Sequence, residues 1–412
     1  MGFIDSLFRR KPSPDAFAAL FIAAAKRDGF VEPLHYNRAE FRLEHSHNAV
    51  FNLHHAYRAY CENQRNERDL ALRGFVATLS ACRVTAPDSL ADARAMLRPL
   101  VRARTVIEDV RLHQWRTSGR DAAFDPAWRA FGDDCAVLLA LDYPESTSTL
   151  VSGPLASWQL TLEQALAIAC DNLRDITADA FVEVARGVFR GDWHDGYDAS
   201  RVLLPDLLHR APVHGRPVFM IPTRDTLLVT GDKHDDGLAS MIELSLQASL
   251  TGRHVSPLMY CYDDGLRRFT PPHDDVAQRV GHLERRYRKD EYDAQKAALD
   301  RLHQQERRDL FVANYLLYDK AVESGAADAR AGSVSVATWT AGVETLLPKT
   351  DRVVLARLDT QQTRIVPWDR LMQTSADLLD DTSMYPVRYR TRGFPDDTLF
   401  DSFAPFESIE GD

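Results

Sequence analysis

The stretch 217–270 constrains the fold more than any other part of this chain. Val218-Phe219-Met220-Ile221 and Thr226-Leu227-Leu228-Val229-Thr230 are apolar, β-branched runs. They are separated by Pro222-Thr223-Arg224-Asp225, where Pro and Asp supply turn chemistry. An Asp-rich loop leads into a helical pattern over 237–250, closed by Gly252. Two further runs, 258–262 and 266–269, flank Asp263-Asp264-Gly265, the strongest short-range hairpin signal in the sequence. Two direct hairpins about one helix predict a ββαββ unit, and direct hairpins are antiparallel. The expected class is α+β, with mixed or antiparallel sheets and packed helices.

The pattern returns in weaker form. Leu347-Pro348-Lys349-Thr350-Asp351-Arg352-Val353-Val354-Leu355 echoes the segment 221–229, and Pro222 and Pro348, like Asp225 and Asp351, lie 126 residues apart. A helix-like stretch over 368–379 follows the second copy, which suggests a duplicated ββα(ββ) module.

Upstream, Asp15 is the expected N-cap of a helix over 16–27 that Gly29 closes. Phe41-x-Leu43 and 49–53 read as short strands turning at Ser46-His47-Asn48, followed by helices over 54–64, 67–82 and 89–101. Residues 121–133 are loop-like, and the continuous apolar run 135–141 fits a buried strand. Thr161-x-x-Gln164 is a capping box opening a helix with Leu162, Ala165, Leu166, Ala169 and Leu173 on one face. A helix of about forty residues is expected within 275–324 from the spacing of Val276, Val280, Leu283 and Tyr287. Glu284 stands one turn before Arg288 and Lys289 one turn before Asp293, and a small-residue linker runs over 324–332. Three regions result: an N-terminal α+β domain over 1–120, a central α+β domain over 134–271 holding the ββαββ unit, and 272–412 with the long helix and the C-terminal module.

Asp and Glu number 60 against 50 Lys and Arg, a net charge of −10, which argues against nucleic acid as a partner. The basic cluster Arg285, Arg286, Arg288 and Lys289 is interleaved with Glu284, Asp290, Glu291 and Asp293, so it reads as a solvated helix face. Cys61, Cys82, Cys135, Cys170 and Cys261 are odd in number with no Cys-x-x-Cys, the pattern of free thiols in a reducing compartment. The run 16–25 is too short to span a bilayer. Met1-Gly2 with Ser6 matches a myristoylation signal formally, but Phe3, Ile4, Leu7 and Phe8 are better read as packing on the body. A cytoplasmic protein without a membrane partner is expected.

Several ordered patterns resemble the YtpQ-like family, a bacterial domain of unknown function (1444), over roughly 1–270. They are Phe51-Asn52-Leu53 with Tyr57 and Tyr60, Leu141-Asp142-Tyr143-Pro144-Glu145-Ser146, and Ala169-Cys170-Asp171-Asn172-Leu173. Asp195-Gly196-Tyr197-Asp198-Ala199-Ser200-Arg201, the segment 222–229, and Ser256-Pro257-Leu258 with Asp264-Gly265 complete the set. The region after about 271 is then a C-terminal extension. No activity is assigned to that family, so the resemblance implies a bacterial cytoplasmic protein and carries over no catalytic residues.

The chain lacks the P-loop, dinucleotide-binding, zincin and Gly-x-Ser-x-Gly signatures. Two loops hold the residue types a divalent metal takes: Asp192, His194 and Asp195, and Asp232, His234 and Asp235. Neither has a recognised ligand spacing, and Asp235 and Asp236 precede a helix that a carboxylate would cap. His45, His47, His54 and His55 crowd the first hairpin and read as surface histidines. Arg224 beside Asp225 is a candidate for binding an anionic partner, with turn geometry the plainer account of Asp225. The reading that follows is a non-enzymatic accessory protein that binds another protein and needs no cofactor. The alternative is a metal-assisted hydrolase built on the two Asp/His loops, which requires that they converge.

Overall fold

The computed structural model describes residues 11–38, 41–45, 49–63, 67–81, 86–143, 146–250, 252–319 and 332–406. The expected roles of Phe3, Ile4, Leu7 and Phe8, of the turn Ser46-His47-Asn48, of Cys82 and of the linker before Gly332 lie outside them, as do the side chains of His45, His54 and His55. The fold is α+β, with helices on antiparallel and mixed sheets. The chain divides into two compact units that do not follow the three-part division by sequence. The first comprises Met1–Arg98, Ala140–Leu150 and Pro154–Thr161; the second comprises Pro99–Leu139, Val151–Gly153 and Leu162–Asp412, which joins the central region to the extension.

In the first unit the opening helix is Pro14–Arg27. Ser13, not Asp15, caps it, accepting from the Ala16 N–H at 3.2 Å, because Pro14 takes the first helical position where its missing N–H costs nothing. Its buried face, Phe17, Ala18, Phe21, Ala24 and Ala25, meets Leu43, Leu53, Val76 and Leu79 in one core. The expected hairpin forms from Arg42–His45 and Ala49–Asn52, with His35–Asn37 as a third antiparallel strand. Helices His54–Glu62 and Arg68–Ala81 follow.

The helix expected over 89–101 shrinks to Leu90–Ala93 and one 3₁₀ turn, after which Leu97–Ala103 is a strand. Pro99 explains the difference, since a helix interior cannot hold it. Thr105–Ser118 is a helix that hydrophobic spacing did not reveal.

The second unit is organised on a six-stranded antiparallel sheet in the order Leu266–Arg268, Tyr260–Tyr262, Pro217–Thr223, Thr226–Gly231, Val188–Gly191, Phe181–Ala185. The expected ββαββ unit supplies four of these strands, with helix Asp235–Ser249 between the hairpins. Leu238, Met241 and Ile242 of that helix pack with Val218, Met220 and Leu228. Val276, Val280, Leu283 and Tyr287 of the long helix join the same core, so its apolar spacing marks a packed face.

That helix is Asp274–Glu306, shorter than expected; Arg307 ends it in the left-handed region at φ 53, and strands Phe311–Val312 and Leu316–Asp319 follow. Glu284 pairs with Arg268 at 2.9 Å and Arg288 with Glu291 at 2.7 Å, in place of the expected Glu284–Arg288 pair. Lys289 does pair with Asp293.

The echo at Pro348 is not a second copy of the hairpin. Thr345–Pro348 pairs with Phe311–Val312 and Arg388–Thr391 in a four-stranded sheet, whereas Arg352–Arg357 joins a five-stranded sheet between Ser333–Thr340 and Gln362–Pro367. Asp351 does not shape a tight turn; it accepts from the Ser335 N–H and O–H, both at 2.8 Å, and so ties the crossing segment to the second sheet.

Candidate functional site

Helix Asp274–Glu306 places Arg285, Arg288 and Tyr292 on one side, three and four residues apart. They line a cleft of about 660 Å³ within the second unit, with Arg104, Tyr315, Lys349, Asp351 and Tyr385. Arg104 comes from the start of helix Thr105–Ser118, where its N–H donates to the Asp134 carbonyl at 2.8 Å. Tyr385 comes from the link before strand Arg388–Thr391.

On one wall Arg285 donates through Nε to Asp351 at 2.7 Å. Burial acts to raise the Asp351 pKa, but the bonds from Arg285 and Ser335 outweigh it and hold the carboxyl below its usual value. On the other wall Arg288 Nη1 donates to Glu291 at 2.7 Å and to the Tyr385 hydroxyl at 2.9 Å. The Arg104 guanidinium lies 4.6 Å from the Tyr385 ring centroid and Arg288 lies 5.2 Å from it, both in cation–π range. Arg285 and Arg288 thus serve the cleft, where the charge pattern alone gave a solvated helix face.

An acidic layer lies behind Arg288. Asp134 is 2 % exposed and accepts from the Tyr260 hydroxyl at 2.7 Å and the Ser256 hydroxyl at 2.8 Å. Burial raises its pKa against those bonds. Burial also pushes Glu291 up to about 7, with Arg288 pulling it down. Glu108, buried beside Arg111, accepts from the Tyr385 N–H at 3.3 Å, and its Oε1 has no partner. The cleft therefore presents cations and phenol rings beside the acids Glu284, Asp351 and Asp381, of which Glu284 and Asp351 are ion-paired to Arg268 and Arg285, with Asp134, Glu108 and Glu291 beneath. Among the described residues, Arg104 and Lys349 have no ion-pair partner.

The residues singled out by sequence lie elsewhere in the same unit. Arg224 and Asp225 form the two-residue turn between Pro217–Thr223 and Thr226–Gly231, with Pro222 inside the strand. Burial first, then repulsion from Arg102 and Arg253, holds the Arg224 guanidinium down to about 9.

The acids of the two Asp/His loops are taken up by neighbouring groups. Asp195 is held by Arg201 through two bonds, at 2.8 and 2.6 Å, and Asp192 by His194 at 2.8 Å. Asp232 accepts from the Arg216 N–H at 2.9 Å, and Asp235 meets His273 at 3.1 Å. His234 is wedged between Gly187 and Gly237, where an added Cβ would come within 2.9 and 2.3 Å of its ring nitrogens. Among the described residues no three His, Cys, Asp or Glu side chains form a group able to hold a metal ion. Burial raises the thiol pKa of Cys135, Cys170 and Cys261, the reverse of what a nucleophile needs.

Sequence reasoning missed Asp134, Tyr260, Arg104 and Tyr385 as parts of a site. Asp134, the second of the two acids Asp133-Asp134 heading the apolar run 135–141, was the one local signal.

The chain is similar to a UPF0354 protein of Bacillus mycoides (strain KBAB4), 27% identical over 134 residues. The match covers 31% of this chain and 50% of that protein, so the chain spans about half the length of the curated relative it matches. It supports a distant relation to an uncharacterised bacterial family. No family model and no solved structure matches the chain. Among the described residues no helix is long and apolar enough to cross a membrane.

Proposed function

We propose that this chain is a non-enzymatic accessory protein of the bacterial cytoplasm, and that its cleft takes an acidic segment of a partner protein. The observation that carries the reading is the pairing of Arg104 and Lys349, cations with no ion-pair partner among the described residues, with Tyr385, whose ring already lies against two guanidiniums. Arg and Tyr give large contact area and directed hydrogen bonds, and both are enriched where interfaces concentrate their binding energy. A carboxylate entering here meets Arg104 and Lys349 without first displacing an internal acid.

The test is fluorescence anisotropy with a labelled glutamate-rich peptide against the full chain. Binding is expected to weaken as salt rises, and about tenfold or more in the double variant Arg104→Glu with Lys349→Glu. Equal affinity for a lysine-rich peptide, or an unchanged affinity in the double variant, sinks the reading.

A further inference from the structure

A second basic locus lies outside the cleft, and hydrogen bonds of the main chain, one of them to a serine hydroxyl, assemble it from four segments. The Val101 N–H, next to Arg102, donates to the Ser200 hydroxyl at 3.0 Å. The Ala199 N–H donates to the Arg224 carbonyl at 3.1 Å, and the Arg224 N–H donates to the Arg253 carbonyl at 3.1 Å. The segments carrying Arg102, Arg224 and Arg253 are thereby brought to one place, at the end of strand Leu97–Ala103, in the turn Arg224-Asp225 and just after Gly252. Gly252 permits the approach, because a Cβ there would stand 2.4 Å from the Thr223 side chain.

The three guanidiniums act on a common acid. Asp225 is exposed and attracts all three. Arg224 Nε is buried with no hydrogen-bond partner. Burial lowers Arg102 to about 10, with Asp225 drawing it up and Arg253 pressing it down, and burial lowers Arg253 as well. Burial is the first cause of each depression, and repulsion from neighbouring arginines adds to it at Arg102 and Arg224. A buried, unpartnered donor amid like charges suits an anionic ligand.

We infer that Arg102, Arg224 and Arg253 bind a phosphate group at the turn Arg224-Asp225. A planar carboxylate is matched by one guanidinium fork, whereas a tetrahedral dianion offers oxygens to cations arriving from separate segments. The group is either free phosphate or the phosphoryl end of a small organic molecule. The site shares no residue with the cleft.

The test measures thermal unfolding of the full chain at constant ionic strength, titrated with inorganic phosphate, glycerol phosphate or acetate. A saturable rise in melting temperature is expected with phosphate compounds and none with acetate. Saturation by both phosphates identifies the bare group as sufficient, and saturation by glycerol phosphate alone identifies an organic phosphate. Arg224→Gln should raise the half-saturating concentration at least about tenfold. Arg253→Gln, at an exposed residue, should do the same and serves if the first variant folds poorly. Arg104→Glu, in the cleft, should leave the response unchanged. Absence of a saturable response to either phosphate overturns the inference, as do undiminished responses in Arg224→Gln and Arg253→Gln. Loss of the response in Arg104→Glu also overturns it, because the anion would then belong to the cleft.

Discussion

Arg388 and Arg224 are both arginines drawn out of water, and burial lowers the pKa of one to about 10 and leads the fall of the other to about 9. Their surroundings differ in kind. Arg388 is fully buried, and its Nε donates to Gln295 Oε1 at 2.6 Å. Its Nη1 donates to the Ala313 and Leu346 carbonyls at 2.9 and 3.1 Å, and its Nη2 to the Tyr292 carbonyl at 3.2 Å, with the Tyr292 ring centroid 5.0 Å away. No carboxylate is needed, because oriented carbonyls and one amide oxygen satisfy the donors. Arg224 is instead left with an orphaned Nε, and like charges surround it. A lowered pKa therefore does not separate a structural arginine from a ligand-binding one; accounting for each donor does.

The comparison predicts opposite mutational behaviour. Arg388→Met should cost the most, about 3–5 kcal/mol in urea unfolding, because it strands Gln295 Oε1 and removes a donor from three carbonyls in the interior. A loss below about 1 kcal/mol would break the distinction on its structural side. Arg201 stands next. It is fully buried, bonded twice to Asp195 and once to Thr177 Oγ1 at 3.0 Å, and stacked 4.4 Å from the Trp193 ring centroid. Asp195→Asn leaves that guanidinium half-answered and should cost about 2–3 kcal/mol by the same measurement.

Glu291 sharpens the contrast through pH. Burial raises its pKa from 4.5 to about 7, so the folded chain holds this proton more tightly than the unfolded chain. Its contribution to stability is fullest below about 4.5 and is lost as pH rises through about 7. Glu291→Gln should remove that slope. The stability difference between variant and parent should shift by about 1–3 kcal/mol in the variant's favour from pH 5 to pH 8. Parallel urea-midpoint curves for the two proteins across that range would refute the assignment.

Local chemistry made the ββαββ unit legible: Asp263-Asp264-Gly265 closes the hairpin pairing Tyr260 with Arg268, and Arg224-Asp225 turns the other. The capping box led to helix Leu162–Asp175, whose buried Ala165, Leu166, Ala169 and Leu173 were all anticipated. Pairing between distant segments was not legible. The Pro348 echo has the hairpin's residues but sends its two strands to different sheets, because Thr345 finds Phe311 and Arg352 finds Val336. The Asp/His loops mimicked ligand sets because their partners Arg201, Arg216 and His273 are supplied by tertiary structure. Arg224 and Asp225 stood out as a turn, yet Arg102 and Arg253, which give that turn its charge, come from sequence positions with no local mark.

The smallest expected effect is the most discriminating. Arg224→Gln removes a guanidinium whose Nε has no partner and whose neighbours Arg102 and Arg253 repel it. The amide still occupies the turn, and the main-chain bonds to Ala199 and Arg253 do not involve the side chain. In phosphate-free buffer, stability should therefore stay within about 0.5 kcal/mol of the parent, or rise slightly as repulsion is relieved. A loss above about 2 kcal/mol would place Arg224 with Arg388 as a structural arginine, and the difference between the two regions would collapse.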